Sequence, residues 1–176
     1  LIVLAPPSFA ARSTAETVAP YLEQDAVLVS VTKGIERGTS LRMSQILEEV
    51  TGRTVAVLSG PSHAEEVGRN IPTGCVAACR DLKTAQMVQD VFMNERFRVY
   101  SSPDVVGGEL GAALKNVIAL GAGICDGMGF GDNTKAALMT RGIHEITNLG
   151  VKMGGKPETF GGLSGIGDLI VTRSEE

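Results

Sequence analysis

Short β-branched apolar runs alternate with helical stripes over the first hundred residues of the chain, and the alternation stops near Pro103. Residues 1–4, 26–31, 54–58, 73–78 and 97–100 each read as a strand. Between them, Ser13 and Glu16 stand at capping-box spacing, with Ala15, Val18, Ala19 and Leu22 on one face and Pro20 placed to bend or shorten the helix. Met43, Ile46, Leu47 and Val50 form one stripe, closed by Gly52 where a helix would end in a left-handed residue. Ser62 and Glu65 repeat the capping-box spacing after Gly60-Pro61, and Ala85, Val88, Val91 and Phe92 mark the inward face of a helix over 81–93. Strands separated by helices require crossover connections, so the pattern predicts a largely parallel sheet of the α/β class.

Beyond Pro103 only helices are predicted. Asp104 is placed to cap a helix that runs to about Asp126, and a Gly-rich turn covers 127–131. Asn133 or Thr134 then starts a helix through Leu149, with Met139, Ile143, Ile146 and Gly150 on one side. The expected organisation is an α/β unit over 1–102 and a helical unit over 103–176.

Composition narrows the chemistry. Apolar residues make up 43% of 176 and aromatic residues 4%, so a core must come from Val, Ile, Leu and Ala. A net charge of −4 without a basic cluster gives no electrostatic reason to expect nucleic acid or an anionic membrane surface. Cys75, Cys79 and Cys125 include no Cys-x-x-Cys pair, which argues against a zinc site or a disulfide framework and fits a reducing cytoplasm. No signal peptide is evident, and the apolar run around Lys115 is read as too Gly-rich and too charged to span a bilayer.

Lys115 is the one cation in the run 110–125. On a helix its neighbours one turn away are Gly111, Ala112, Ile118 and Ala119, none of which can pair with it. Burial would lower its pKa toward the range of a general acid/base, whereas an exposed ammonium on an apolar stem is the alternative. Gly111 and Ala112 remove bulk on the preceding turn, and Asn116 follows directly. In an open parallel sheet, ligands bind beyond the carboxyl ends of strands. Two loops qualify there, Val31-Thr32-Lys33-Gly34 and Ser59-Gly60-Pro61-Ser62-His63-Ala64. Asp168, after Gly165-Ile166-Gly167, is a candidate partner for Lys115, although spacing alone favours an exposed turn carboxylate. His63 and His144 are isolated and carry no assigned role.

The strings Val-Thr-Lys-Gly at 31–34, Ser-Gly-Pro-Ser-His-Ala at 59–64 and Gly-Ala-Ala-Leu-Lys-Asn-Val at 111–117 resemble the bacterial NAD(P)-dependent glycerol-3-phosphate dehydrogenases. So do the run from Asp126 to Gly142 and Gly-Ile-Gly-Asp-Leu-Ile-Val-Thr at 165–172. The resemblance implies the C-terminal part of a Rossmann-type sheet domain followed by an all-α substrate domain, an arrangement like that of 6-phosphogluconate dehydrogenase. It implies interconversion of sn-glycerol 3-phosphate and dihydroxyacetone phosphate with NAD(H) or NADP(H), feeding glycerophospholipid synthesis. Lys115 would be the proton donor and acceptor at the C2 oxygen. Lys33 would touch both cofactor and substrate, Gly60, Ser62, Asn116 and Asp168 would bind substrate, and Ala64 would contact the cofactor. No metal is implied.

Two segments of the family pattern have no counterpart: the Gly-rich nucleotide loop, expected upstream of Leu1, and a Ser-Arg-Asn segment, expected after Thr172. The chain is therefore expected to be a fragment lacking both ends, weak in nucleotide binding and in turnover, and silent on NADH against NADPH. Residues 173–176 look foreign to the run before them. A homodimer is compatible with the sequence, which does not fix the oligomeric state. A β-hydroxyacid dehydrogenase of related architecture is the nearest alternative, but its pattern wants Asn where Ala119 stands. A non-catalytic helical dimerisation module is the alternative from another class.

Overall fold

The computed structural model describes residues 1–173; Ser174, Glu175 and Glu176, which belong to the tail read as foreign, lie outside the described residues. Five strands, β1 (Ile2–Leu4), β2 (Leu28–Ser30), β3 (Val55–Ser59), β4 (Thr73–Ala78) and β5 (Phe97–Ser102), form one sheet in sequential order. Helices α1 (Ala11–Val18), α2 (Met43–Thr51), α3 (Ala64–Gly68) and α4 (Leu82–Phe92) connect them. The β1–β2, β2–β3 and β4–β5 pairs are parallel, as the alternating pattern predicts. The β3–β4 pair is antiparallel, with Val57 opposite Ala78 and Ser59 opposite Val76. Helix length explains the reversal. The five residues of α3 rise about 7.5 Å, about half the rise of the nine-residue α2 or the eleven-residue α4, which make parallel crossovers.

The sheet packs on two apolar clusters. Val29, Ala56, Cys75, Ala77, Val88 and Val99 form one, and Leu4, Ala15, Leu28, Leu47 and Val55 the other. Most helix signals hold: Gly52 ends α2 at φ 63°, and the helix expected over 81–93 forms as α4, with Asp81, not singled out beforehand, capping it by accepting from the Lys83 and Thr84 N–H groups. Pro20 lies in a 3₁₀ turn, Ala19–Tyr21, immediately after α1. The two expected capping boxes do not form. A 3₁₀ turn, Ser8–Ala10, starts α1 at Ala11, so Ser13 lies inside the helix and donates to the Ala10 carbonyl. His63 holds the N-cap position of α3, and Ser62 donates to the Gly60 carbonyl instead. Val91, expected inward, is 61% exposed, because α4 buries only the Ala85–Val88 side with Phe92 at its margin.

The remaining elements are α5 (Val105–Gly127), α6 (Asp132–Lys152), α7 (Pro157–Phe160), a π-helical turn (Leu163–Gly167) and α8 (Asp168–Arg173). Buried Asp104 caps α5 through the Gly107 N–H at 2.9 Å and also accepts from Lys156 N and Thr159 Oγ1, which fastens the α7 region to the start of α5. Because β4 and β5 run against β1–β3, α5 begins at the end of the sheet opposite the carboxyl end of β3. Val105 packs on Val57 and Ala78, and Lys115 lies ten residues on, a helical rise of about 15 Å. By length and apolarity α5 could cross a membrane, contrary to the sequence expectation, but half of its apolar window is buried within the protein. Leu110, Ile146 and Phe160 form the core between α5, α6 and α7.

Candidate functional site

Three segments bring chemistry to one place: the loop after β2, the loop after β3, and the face where α5 meets α8. Lys33 follows β2 by three residues, so its side chain leaves the sheet at a carboxyl end. Its Nζ donates to Asp168 Oδ2 at 2.7 Å and to the Gly60 carbonyl at 3.3 Å. From the other side Lys115 Nζ donates to Asp168 Oδ1 at 2.6 Å and to Thr172 Oγ1. One carboxylate thus lies between two ammonium groups. Asp168 is 2% exposed, so the expected exposed turn residue is instead the buried first residue of α8.

Lys115 is 6% exposed, which decides between the two readings of its side chain. Burial lowers its pKa below the ordinary 10.5, the Asp168 hydrogen bond opposes that, and the nearby Lys33 charge lowers it further. The side chain is thus held by an ion pair while its charged form is disfavoured by desolvation. Such a balance suits a group that gives up and recovers a proton.

The tight contact between α5 and the π-helical turn sets this arrangement. A Cβ on Gly111, one turn before Lys115, would sit 2.3 Å from the Ser164 carbonyl oxygen. Only glycine lets the turn approach closely enough to deliver Asp168 to the lysine. Gly111→Ala is therefore expected to destabilise the protein by about 1–3 kcal/mol, measured by urea unfolding, because a backbone carbonyl cannot rotate away. Gly60 serves a similar purpose in the β3 loop. Its φ is 150°, and a Cβ there would meet the Cys75 Cα at 2.9 Å. The Cys75 thiol beneath it is pushed up to about 12 by burial, so it is no nucleophile at neutral pH.

Lys33, Ser62, His63, Ala64, Lys115, Asn116, Asp168, Val171 and Thr172 line a cleft of about 300 Å³. Every candidate named from the sequence is there except Gly60, whose carbonyl is bonded to Lys33 at its edge. Sequence reasoning missed Thr172, although its distance from Asp168, four residues on a helix, would have shown it once 168–173 was read as helical. It also gave His63 no role, yet His63 forms part of the wall. Among the described residues no cluster of metal-ligating side chains occurs.

Comparison with known proteins fits this geometry. The family described as NAD-dependent glycerol-3-phosphate dehydrogenase N-terminus matches residues 1–85, and the one described as the C-terminus of the same enzyme matches residues 104–176. A curated glycerol-3-phosphate dehydrogenase [NAD(P)+] of Pelotomaculum thermopropionicum is 61% identical over 97% of this chain and 50% of its own length. The protein of the same name from Moorella thermoacetica is 60% identical over 98% of this chain and 51% of its own. The crystal structure of glycerol-3-phosphate dehydrogenase from Coxiella burnetii superposes with a TM-score of 0.93 at 35% identity, covering 99% of this chain and 54% of that one. A Rossmann-type sheet backed by a helical layer is the fold of a nicotinamide-nucleotide dehydrogenase class. Within that class the chain belongs to the NAD-dependent glycerol-3-phosphate dehydrogenase family. The matches favour that family over a β-hydroxyacid dehydrogenase or a non-catalytic helical module. The chain spans about half the length of the curated relatives it matches.

Proposed function

We propose that the protein carrying this chain interconverts sn-glycerol 3-phosphate and dihydroxyacetone phosphate with NAD(H) or NADP(H). The observation that supports this most is the buried Lys115–Asp168–Lys33 arrangement at the carboxyl end of the sheet. Lys115 gives its proton to the C2 oxygen during reduction and takes it back during oxidation. Asp168 holds the ammonium in line between transfers. With both lysines protonated the centre carries one positive charge in excess, which attracts an anionic substrate such as a phosphate ester. Ser62 and Asn116, both in the lining of the cleft, and Gly60 at its edge would contact that substrate.

The cleft also fits a nicotinamide nucleotide. It lies beyond the ends of parallel strands, and exposed Ala64 leaves its wall free of bulk. Lys33 and Ala64 would hold the nucleotide, which when bound supplies or accepts the hydride. In this reading residues 1–102 are part of the nucleotide-binding domain and 103–176 part of the substrate domain. The setting is cytoplasmic, the product feeds glycerophospholipid synthesis, and the enzyme could work as a homodimer.

Because burial holds the Lys115 pKa below 10.5, the neutral amine needed for oxidation is populated at lower pH than in free lysine. The oxidation rate of the full-length protein is expected to rise with pH about a midpoint below 10.5, and a midpoint at or above that value would contradict the acid/base role. The overall reading is tested by following nucleotide absorbance during dihydroxyacetone phosphate reduction. Turnover is expected from the full-length protein with at least one of NADH and NADPH, and little or none from the 176-residue chain alone. A full-length protein inactive with both nucleotides would refute it.

A further inference from the structure

Six residues before Lys115, the same helix carries a second buried carboxylate. Glu109 is 5% exposed and accepts from Ser44 N at 2.7 Å, from Ser44 Oγ at 2.7 Å and from Arg42 Nη1. Arg42 is itself 6% exposed and its Nη1 also donates to Ser44 Oγ at 3.0 Å. All three donors lie at the junction of α2 with the loop over 31–42, the loop that carries Lys33. The network therefore joins the helix bearing one lysine of the cleft to the segment bearing the other.

Besides its bonds to the β1 side through Arg12–Glu36 and Thr32–Pro6, that segment meets the helical part of the protein at three places along its length. At its start Lys33 bonds Asp168. In its middle Ile35 packs against the Leu110–Ile146–Phe160 core. At its end Arg42 bonds Glu109, and Ile35 is bridged to Arg42 in antiparallel fashion while Glu36 N donates to the Leu41 carbonyl at 2.9 Å. The bridge ties the ends of a small hairpin together, so a displacement of Arg42 reaches Ile35, two residues from Lys33. Lys33 and Lys115 repel each other and share a single carboxylate. Their spacing thus depends on how firmly the hairpin is seated on α5.

We propose that Glu109 is a positioning residue for the proton-transfer centre, seating the Lys33 hairpin on the helix of Lys115 through Arg42 and Ser44. The inference rests on the reaction proposed above. Glu109 touches no residue of the cleft itself and acts through the loop. A misplacement of about 1 Å far from the chemistry can cost about 10²-fold in rate, and an effect on that scale is expected here.

The test compares wild type, Glu109→Gln, Arg42→Lys and Ser44→Ala in the full-length protein, well below each melting temperature. One readout is kcat for dihydroxyacetone phosphate reduction. The other is acetic anhydride labelling of Lys33, measured by peptide mass spectrometry against exposed Lys152 as internal reference. Glu109→Gln is expected to lower kcat by about 10²-fold and to raise Lys33 labelling several-fold, with Arg42→Lys and Ser44→Ala moving both in the same direction by less. A Glu109→Gln/Ser44→Ala double variant should lose less than the product of the single losses, as expected of residues in one network. If Glu109→Gln does not fold, Ser44→Ala decides, because it removes one hydroxyl donor and keeps the backbone donor. Folded variants with unchanged Lys33 labelling would overturn the positioning role whatever their activity. An inactive wild type whose variants still show raised labelling would overturn the reaction assignment and leave the tether standing.

Discussion

Lys115→Ala in the full-length protein is expected to lower turnover by about 10²–10⁴-fold, the loss that follows removal of a positioned proton donor. Nucleotide affinity should change little, because the amine is taken up by its hydrogen bonds to Asp168 and Thr172. Lys115→Arg should restore no activity. A guanidinium would keep the charge and could still pair with Asp168, but it does not release its proton near neutral pH. Steady-state kinetics of the two variants separate proton transfer from charge. If arginine recovered most of the rate, Lys115 would be an electrostatic anchor and the acid/base assignment would fail.

The second large effect is expected from Asp168→Asn. Asp168 is 2% exposed and is the carboxylate common to both lysines of the cleft. Breaking a buried pair by removing one partner costs about 3–5 kcal/mol, because the remaining charge is left uncompensated. Here two ammonium groups would be left facing each other. The asparagine preserves shape and one acceptor oxygen, so the loss would report charge more than packing. Urea unfolding of wild type and variant measures it. A change below about 1 kcal/mol, typical of an exposed pair, would show that solvent compensates both lysines.

How far the sequence reveals this molecule depends on the range of the interaction concerned. The stripe Met43–Ile46–Leu47–Val50, the cap at Asp104 and the stop at Gly52 are local, and each stands where periodicity and capping chemistry put it. The reversal between β3 and β4 was hidden, because parallel and antiparallel strands share a residue pattern and only the shortness of α3 betrays it. The two capping boxes failed because a spacing of three fits any position in a turn, and the 3₁₀ turn before Ala11 moved the frame. At the cleft, Lys115 was conspicuous as a cation among apolar residues. Its pairing with Asp168 joins residues 53 apart and could only be suspected. The Arg42–Ser44–Glu109 network, spanning 65 to 67 positions, left no mark in the sequence beyond the residues themselves.

The course of α5 back across the sheet turns its first ten residues into a ruler. Each residue contributes about 1.5 Å of advance and 100° of rotation. Deleting a single residue between Glu109 and Lys115 would swing the amine a quarter-turn or more out of the cleft while Glu109 stayed clasped. The length of this stretch is therefore fixed more strictly than that of any surface loop, since one residue gained or lost would part the clasp from the cleft.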